Sequence, residues 1–394
     1  MKCTIFASVA AIVLVVFGAG AAPVFESQDI FTPQEKHVHG SSIVEAPNGD
    51  FLTTWFHGSG ERTADDVQVN GARLNKNAEA WSSMYLMADT PGIPDCNPVL
   101  DIDQKGRLWL YWIAVVGNRW ETSLLKYRRS DDYLGEGAPN WTWQDVIVLK
   151  PGDDFGAITK EKFKEIGLRT GMWGEYGRRY EDQILEACED KTKRRSGWMT
   201  RIHPLTLPSG RILLPLYSDG YNASLVAISD DMGETWRSSK PIIGFAPIQP
   251  ALARRNNGDI VAYMRDSGGA PNRVMKSVST DDGESWSAAV DTVIFNPGSS
   301  LDVINLKDGS WLMVANDTER GRHQLTALLS EDEGETWPVK RQIESIEKDG
   351  KSFGYPSVIQ AQDGLIHMTY TRKSDAGKTI RHTIINTEWI CAEK

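Results

Sequence analysis

Residues 229–236 read SDDMGETW, and the pattern returns as STDDGESW at 279–286 and as SEDEGETW at 330–337. The copies begin 50 and 51 residues apart (229 to 279 and 279 to 330), an interval that indicates a repeat architecture. In each copy, Ser and Asp can bond the backbone amides of a tight turn, while Gly can adopt a positive φ. The closing Trp would then anchor the next strand. We therefore interpret these boxes as structural turns that do not contact a substrate.

A second repeat covers more of the chain. The segments APNGDFLTTW, DQKGRLWLYW, LPSGRILLPLY, RNNGDIVAYMR, LKDGSWLMVAN and AQDGLIHMTYT each place a polar turn with Gly before an apolar strand, which is typical of a hairpin. The turn glycines are Gly49, Gly106, Gly210, Gly258, Gly309 and Gly364. Copies spaced by about 50 residues fit four-stranded blades around an axis. The sequence thus predicts an all-β fold, a six-bladed β-propeller over residues 30–394.

Residues 151–198 interrupt the strand pattern between the second and third blades. Charged and apolar residues recur there at helical spacing, and β-branched residues become rare. We predict one or two helices, in KEKFKEIG and YEDQILEACED. The insertion is either a decoration or a lid over one mouth of the propeller that carries Trp173, Glu175 and Tyr176, because long insertions between repeats often fall on the binding face.

Residues 1–21 combine a Lys, an apolar run and small residues ending near Ala21, which predicts a secretory signal peptide. The apolar run is short for a membrane span, so we expect a secreted or periplasmic protein. A formal net charge of −10 disfavours nucleic acid as a partner. Without CxxC or HExxH motifs we expect no metal site and no other cofactor. Cleavage would leave three cysteines, which allow at most one disulfide.

The boxes and the blade pattern together resemble the sialidase superfamily. That resemblance implies a six-bladed propeller whose arginines hold a sugar carboxylate and whose nucleophile is a tyrosine. Arg265 in IQPALARRNNGDIVAYMRD and Arg322 in RHQLTALLSEDEGETW match two of the arginine positions. Tyr355 in FGYPSVIQAQDG matches the nucleophile, and GSGERTADDVQV offers Asp65 and Asp66 for the acid/base. Guanidinium groups suit this role because they bind a carboxylate bidentately.

Two elements of the resemblance are missing. His39 or a neighbour stands where the third arginine is expected, and Pro247 occupies the place of the Glu that would activate the nucleophile. A tyrosine with an ordinary pKa near 10 is a weak nucleophile and needs a base. Glu175, Glu61 or His203 could supply it.

Three functions remain open at this level. The first is a secreted exo-glycoside hydrolase that cleaves a terminal, acidic or hydroxyl-rich sugar with retention. Its substrate would be held by Arg265, Arg322, His39, His203 and Glu175. The second is a polysaccharide lyase acting on a uronate, in which an arginine neutralises the carboxylate while Tyr or His exchanges protons. The third is a propeller that binds carbohydrate without catalysis. All three imply a glycan partner.

Overall fold

A computed structural model describes residues 21–167, 172–346 and 350–392, the side chains of 172–177 excepted. The predicted signal peptide lies outside the described residues except for its last position. The side chains of Trp173, Glu175 and Tyr176 also lie outside, so their proposed lid role stays a prediction.

The described residues form six antiparallel sheets arranged as the blades of a propeller, which confirms the predicted fold class. Blade 1 contains β2 (His37–Glu45), β3 (Phe51–Gly58), β4 (Gln68–Leu74) and β5 (Tyr85–Ala88). Blade 2 contains β6 (Asp95–Ile102), β7 (Leu108–Val115), β8 (Ser123–Ser130) and β9 (Trp143–Val146). Blade 3 contains β10 (Met199–Thr200), β11 (Leu205–Thr206), β12 (Ile212–Ser218), β13 (Ala223–Ser229) and β14 (Arg237–Ser238).

The second half of the ring follows the same plan. Blade 4 contains β15 (Pro247–Arg254), β16 (Ile260–Asp266), β17 (Arg273–Ser279) and β18 (Val290–Phe295). Blade 5 contains β19 (Asp302–Asn305), β20 (Trp311–Ala315), β21 (Gln324–Ser330) and β22 (Val339–Ser345). Blade 6 contains β23 (Ser352–Gln360), β24 (Ile366–Ser374) and β25 (Gly377–Ile385), and its fourth strand is β1 (Phe25–Asp29) from the other end of the chain.

The six predicted hairpin turns join the first long strand of each blade to the second. Each turn glycine has a positive φ and donates its N–H to the carbonyl three residues earlier, as Gly49 does to Ala46 at 2.8 Å and Gly364 to Ala361 at 3.0 Å. Residues with a Cβ rarely adopt such φ values. The glycine pattern therefore located the blades correctly.

Each Ser-x-Asp-x-Gly-x-Thr/Ser-Trp box joins the third strand of a blade to the fourth and also accepts a hydrogen bond from the preceding blade. In the second box, Asp281 accepts hydrogen bonds from the Ser279 hydroxyl at 2.8 Å and from the Ser285 amide at 2.9 Å. Arg211 of blade 3 donates to the Asp282 carbonyl at 3.1 Å. Because strands alternate in direction, boxes and hairpin turns lie at one end of the propeller, and the first strands begin at the other.

The insertion forms α1 (Phe155–Ile166), α2 (Met172–Glu189) and α3 (Lys191–Arg195), so three helices stand where one or two were predicted. It packs on loops at the end where the first strands begin. The Tyr180 hydroxyl of α2 donates to the Asn222 carbonyl at 2.8 Å and accepts from the Ala246 amide at 3.1 Å. A short helix, α4 (Thr387–Cys391), follows blade 6. In the described part of the chain, no helix is long and apolar enough to cross a membrane.

Candidate functional site

A cavity of about 420 Å³ opens where the innermost strands begin, at the end opposite the boxes. Its lining comes from blades 1, 2, 3, 4 and 6, and from Arg322 of the loop that precedes β21 in blade 5. The lining residues are His37, Val38, His39, Glu61, Asn97, Trp120, Tyr217, Asp219, Gln249, Arg265, Arg322, Ser352, Tyr355, Thr371, Lys373 and Lys378.

Bulges in four inner strands shape the floor of this cavity. β2, β6, β15 and β23 each shift register, and a residue with positive φ lies in each shift: Gly40 at 64°, Asn97 at 51°, Gln249 at 57° and Tyr355 at 59°. A non-glycine residue held at a positive φ destabilises the fold by about 1–3 kcal/mol, and such residues cluster at functional sites. Three of these residues directly precede a proline and line the cavity. That recurring Xaa-Pro pair is a signal in the sequence that could have located the floor.

Tyr355 lies on the floor, surrounded by cationic and polar groups. Its hydroxyl oxygen accepts hydrogen bonds from Arg265 Nη1 at 2.9 Å and from Gln249 Nε2 at 3.4 Å. The guanidinium carbons of Arg201 and Arg322 lie 5.0 and 5.2 Å from its ring centroid. Burial raises the pKa of Tyr355, but the charges of Arg265 and Arg322 and the Gln249 hydrogen bond outweigh it, so the pKa is lowered. The surroundings therefore favour the phenolate.

Gln249 faces the Tyr355 hydroxyl, two residues beyond Pro247, the position at which the resemblance leads us to expect the activating Glu. Its amide donates to the phenolic oxygen and cannot take up the phenolic proton. Gln249 therefore helps the arginines to stabilise the phenolate but does not act as a base.

Arg201 belongs to the site, although nothing in the sequence pattern pointed to it. Its side chain is buried beneath Tyr355, where Nη1 donates to the Ser41 carbonyl at 3.1 Å and Nη2 to the Pro356 carbonyl at 3.0 Å. These bonds tie the bulge of β23 to that of β2 and bring a third arginine to the tyrosine. The surrounding segment, TRIHPL at 200–205, contains no local motif that marks Arg201. The side chain is buried only because the inner strands converge around it.

His39 lines the cavity. Its ring centroid is 3.9 Å from that of Tyr355, and its Nδ1 is 2.9 Å from the Thr371 hydroxyl. Burial, followed by the charge of Arg322, lowers the pKa of His39 well below its usual value. The imidazole is therefore neutral and suits a hydroxyl group better than an anion.

The structure does not bring Asp65 or Asp66 into the cavity, contrary to the expectation from the resemblance. Both are exposed on the β3–β4 loop. Asp65 accepts a hydrogen bond from Asn118 Nδ2 at 3.0 Å, and Asp66 is paired with Lys36 at 3.2 Å and with Ser59. The conformation of this loop turns these two carboxylates away from the lining.

Two other carboxyl groups line the cavity: Glu61 from the same loop and Asp219 beyond β12. Burial raises the pKa of Glu61, and Arg62 and Lys378 offset only part of the rise. Burial likewise raises the pKa of Asp219, with Arg265 opposing it. A carboxyl group with a raised pKa can remain protonated and act as an acid.

His203 lies outside the cavity lining, which corrects its predicted contact with substrate. Its Nε2 is 3.3 Å from the carboxylate of Asp302, whose other oxygen accepts the Val358 amide at 2.8 Å. Burial opposes protonation, but the Asp302 charge and hydrogen bond raise the pKa of His203 to about 9. The geometry is that of a buried structural ion pair.

The charge of the lining is predominantly positive. Its cationic side chains are Arg265, Arg322, Lys373 and Lys378, and its acidic ones are Glu61 and Asp219. Within the described ranges, no cluster of three or more His, Cys, Asp or Glu side chains is arranged for a metal ion. Cys96, Cys188 and Cys391 are free thiols. This cavity suits a polar, anionic small ligand.

Comparison with known proteins agrees with this architecture. A family model described as a BNR repeat-like domain matches residues 49–174 and 195–368, more than half of the chain. A sialidase of Micromonospora viridifaciens is 28% identical over 177 residues, a match that covers 42% of this chain and 26% of that protein. The chain thus matches about a quarter of the length of that curated relative.

Solved structures share the fold at low identity. The Hadza microbial sialidase Hz136 superposes with a TM-score of 0.65 at 17% identity, covering 89% of this chain and 66% of that chain. A leech intramolecular trans-sialidase complexed with 2,7-anhydro-Neu5Ac gives 0.66 at 13% identity, covering 93% and 71%. A Dyadobacter fermentans protein of unknown function gives 0.67 at 16% identity, covering 92% and 98%.

Proposed function

The chain belongs to the BNR repeat-like domain family within the sialidase superfamily, and on that premise we propose that it is a glycoside hydrolase removing a terminal acidic sugar from glycans. One observation carries the proposal: the Tyr355 hydroxyl lies on the cavity floor, bonded to Arg265 and flanked by Arg201 and Arg322. Two of these arginines, Arg265 and Arg322, line the cavity and can bind a carboxylate.

In the proposed reaction, the Tyr355 oxygen attacks the anomeric carbon and the bond to the leaving oxygen breaks. The charges of Arg265 and Arg322 lower the pKa of Tyr355 and so favour the phenolate that attacks. Glu61 gives its proton to the leaving oxygen. As a carboxylate, it then takes a proton from the water that displaces Tyr355, and the two displacements retain the configuration.

A lyase acting on a uronate is the second candidate, and the contact between His39 and Tyr355 favours it. A neutral imidazole 3.9 Å from a tyrosine ring, centroid to centroid, could remove a proton from a carbon whose carboxylate is held by Arg265 and Arg322. The product would carry a new double bond.

The test is turnover of a panel containing sialosides and uronate-rich polysaccharides, with reducing ends and ultraviolet absorbance followed together. We expect release of a terminal acidic sugar without absorbance growth, and NMR should show the retained anomer first. Absorbance growth would assign the protein to the lyases. Saturable binding of a panel glycan with no product at any pH would identify the protein as a propeller that binds carbohydrate without catalysis.

Glu61→Gln is expected to lower kcat/KM on natural glycans by about 10²–10⁴-fold, because the leaving oxygen then departs unprotonated. A nitrophenyl glycoside, whose leaving group needs little protonation, should lose much less. The pH profile of the wild type should lose activity as pH rises through the raised pKa of Glu61, and the variant should lack that limb.

Asp65→Asn and Asp66→Asn serve as controls from the same loop and should retain activity. If Asp219→Asn shows the leaving-group dependence and Glu61→Gln does not, the acid role belongs to Asp219 instead.

A further inference from the structure

A second cavity, of about 360 Å³, lies between the helical insertion and the propeller. The insertion contributes Gln183 and Glu186 of α2 and Lys193 of α3, while the propeller contributes Glu121, Ser218 and Tyr221. Nothing in the proposed reaction at Tyr355 uses these residues.

The two cavities share a thin wall. Trp120 and Asp219 line the first cavity, and their chain neighbours Glu121, Ser218 and Gly220 line the second. The wall segments are close together, since a Cβ placed on Gly220 would lie 3.0 Å from the Glu121 Cβ. Only a single layer of residues therefore separates the two cavities, and a glycan bound over Tyr355 can extend past that layer into the second cavity.

The chemistry of the second cavity differs from that of the first. Gln183, Glu186 and Lys193 are exposed, and among the described residues neither Glu186 nor Lys193 forms an ion pair. Arg119 also lines this cavity, and its Nε donates to the Glu121 carboxylate at 2.8 Å, so the two charges are paired. An amide, two carboxylates, an ammonium, a guanidinium and the Ser218 hydroxyl together offer both donors and acceptors. Such a mixed lining suits a neutral group rich in hydroxyls and lacks the arginine pair that would select a carboxylate.

We propose that the second cavity binds the neutral sugars on the leaving-group side of the scissile bond. The acidic sugar would occupy the first cavity and the chain would continue across Trp120. This inference rests on the proposed glycosidase function and deepens it, because it makes the preferred substrate an oligosaccharide. The insertion then acts as a specificity element and not as a decoration.

The experiment compares kcat/KM for 3′-sialyllactose with that for the methylumbelliferyl glycoside of the same acidic sugar. The double variant Gln183→Ala/Glu186→Ala should lower the ratio of the two values by about 10- to 100-fold, since several hydrogen bonds to the neutral sugars are lost. Alanine is favourable at both helical positions. Asp182→Ala, on the same helix but outside the lining, is the matched control and should leave the ratio unchanged.

An unchanged ratio in the double variant would overturn the inference. If neither substrate is hydrolysed, the proposed function fails for this sugar, and calorimetric titration with 3′-sialyllactose decides the inference separately. Weaker binding to the double variant than to the wild type would support it. Equal binding, or no binding to either protein, would overturn it.

Discussion

Tyr355→Phe is expected to lower kcat/KM by at least about a thousandfold on every substrate of the wild type, because the attacking oxygen is removed while the ring remains. Phenylalanine keeps the ring contacts with His39, Arg201 and Arg322. The bonds lost are those that Arg265 and Gln249 donate to the hydroxyl. The loss of activity should therefore occur without loss of fold.

Steady-state kinetics with the panel substrate measures this effect, and thermal unfolding checks the fold. Tyr217→Phe is a useful comparison, since Tyr217 also lines the cavity and accepts a hydrogen bond from Asn97 at 3.0 Å. We expect a much smaller effect there. Residual activity of Tyr355→Phe within tenfold of the wild type would rule out a tyrosyl intermediate.

The pH dependence of the wild type follows from the same groups. Attack needs the phenolate of Tyr355, whose pKa is lowered, so activity should fall at low pH as the phenolate is lost. Protonation of the leaving oxygen needs neutral Glu61, whose pKa is raised, so activity should fall at high pH as that proton is lost. The two limbs give a bell-shaped profile.

His203→Ala is expected to destabilise the fold by roughly 3 kcal/mol at neutral pH, which is the low end for a broken buried ion pair. The variant leaves the fully buried carboxylate of Asp302 without its imidazolium partner, although the charge of Arg201 still acts on it. Urea unfolding monitored by tryptophan fluorescence measures the difference.

The sign of the pH effect is fixed by the raised pKa of His203. Because its folded-state pKa of about 9 exceeds the unfolded value of 6.5, its stabilisation is fully present below pH 6.5 and is lost as pH rises through 9. The gap between wild type and His203→Ala should shrink over that window. The double variant His203→Ala/Asp302→Asn should recover part of the loss, and a pH-independent gap would refute the ion pair.

Repeating local signals made the fold predictable from the sequence. Each turn glycine and each box specifies a backbone conformation within a few residues, so the turn can be predicted without knowledge of the tertiary structure. The number of helices in the insertion was less accessible, because α3 is five residues long and its Asp190 cap is its main local signal.

Only part of the candidate site could be predicted from the sequence. Tyr355, Arg265 and Arg322 were identified through the resemblance, at matching places in the blades. The structure brings them together, while their roles stay predictions. The Gln-Pro pair could have placed Gln249 on the cavity floor, but no local pattern marks Arg201. Both residues meet Tyr355 because inner strands from three blades converge. Asp65 and Asp66 were offered for the acid/base, since a loop without regular spacing does not show which carboxyl turns inward.

Blade 6 has a consequence for how the protein reaches its native state. Its edge strand pairs Phe25 with Ile385, so residues from opposite ends of the chain must meet before the ring is complete. Contacts this distant in sequence form slowly, because their loop-closure entropy is lost before they return any stabilisation. During synthesis the first five blades can assemble in order, but blade 6 must wait for the last strand. Until then the apolar faces by which blades 5 and 1 pack against blade 6 are exposed, and they are the surfaces most prone to aggregate.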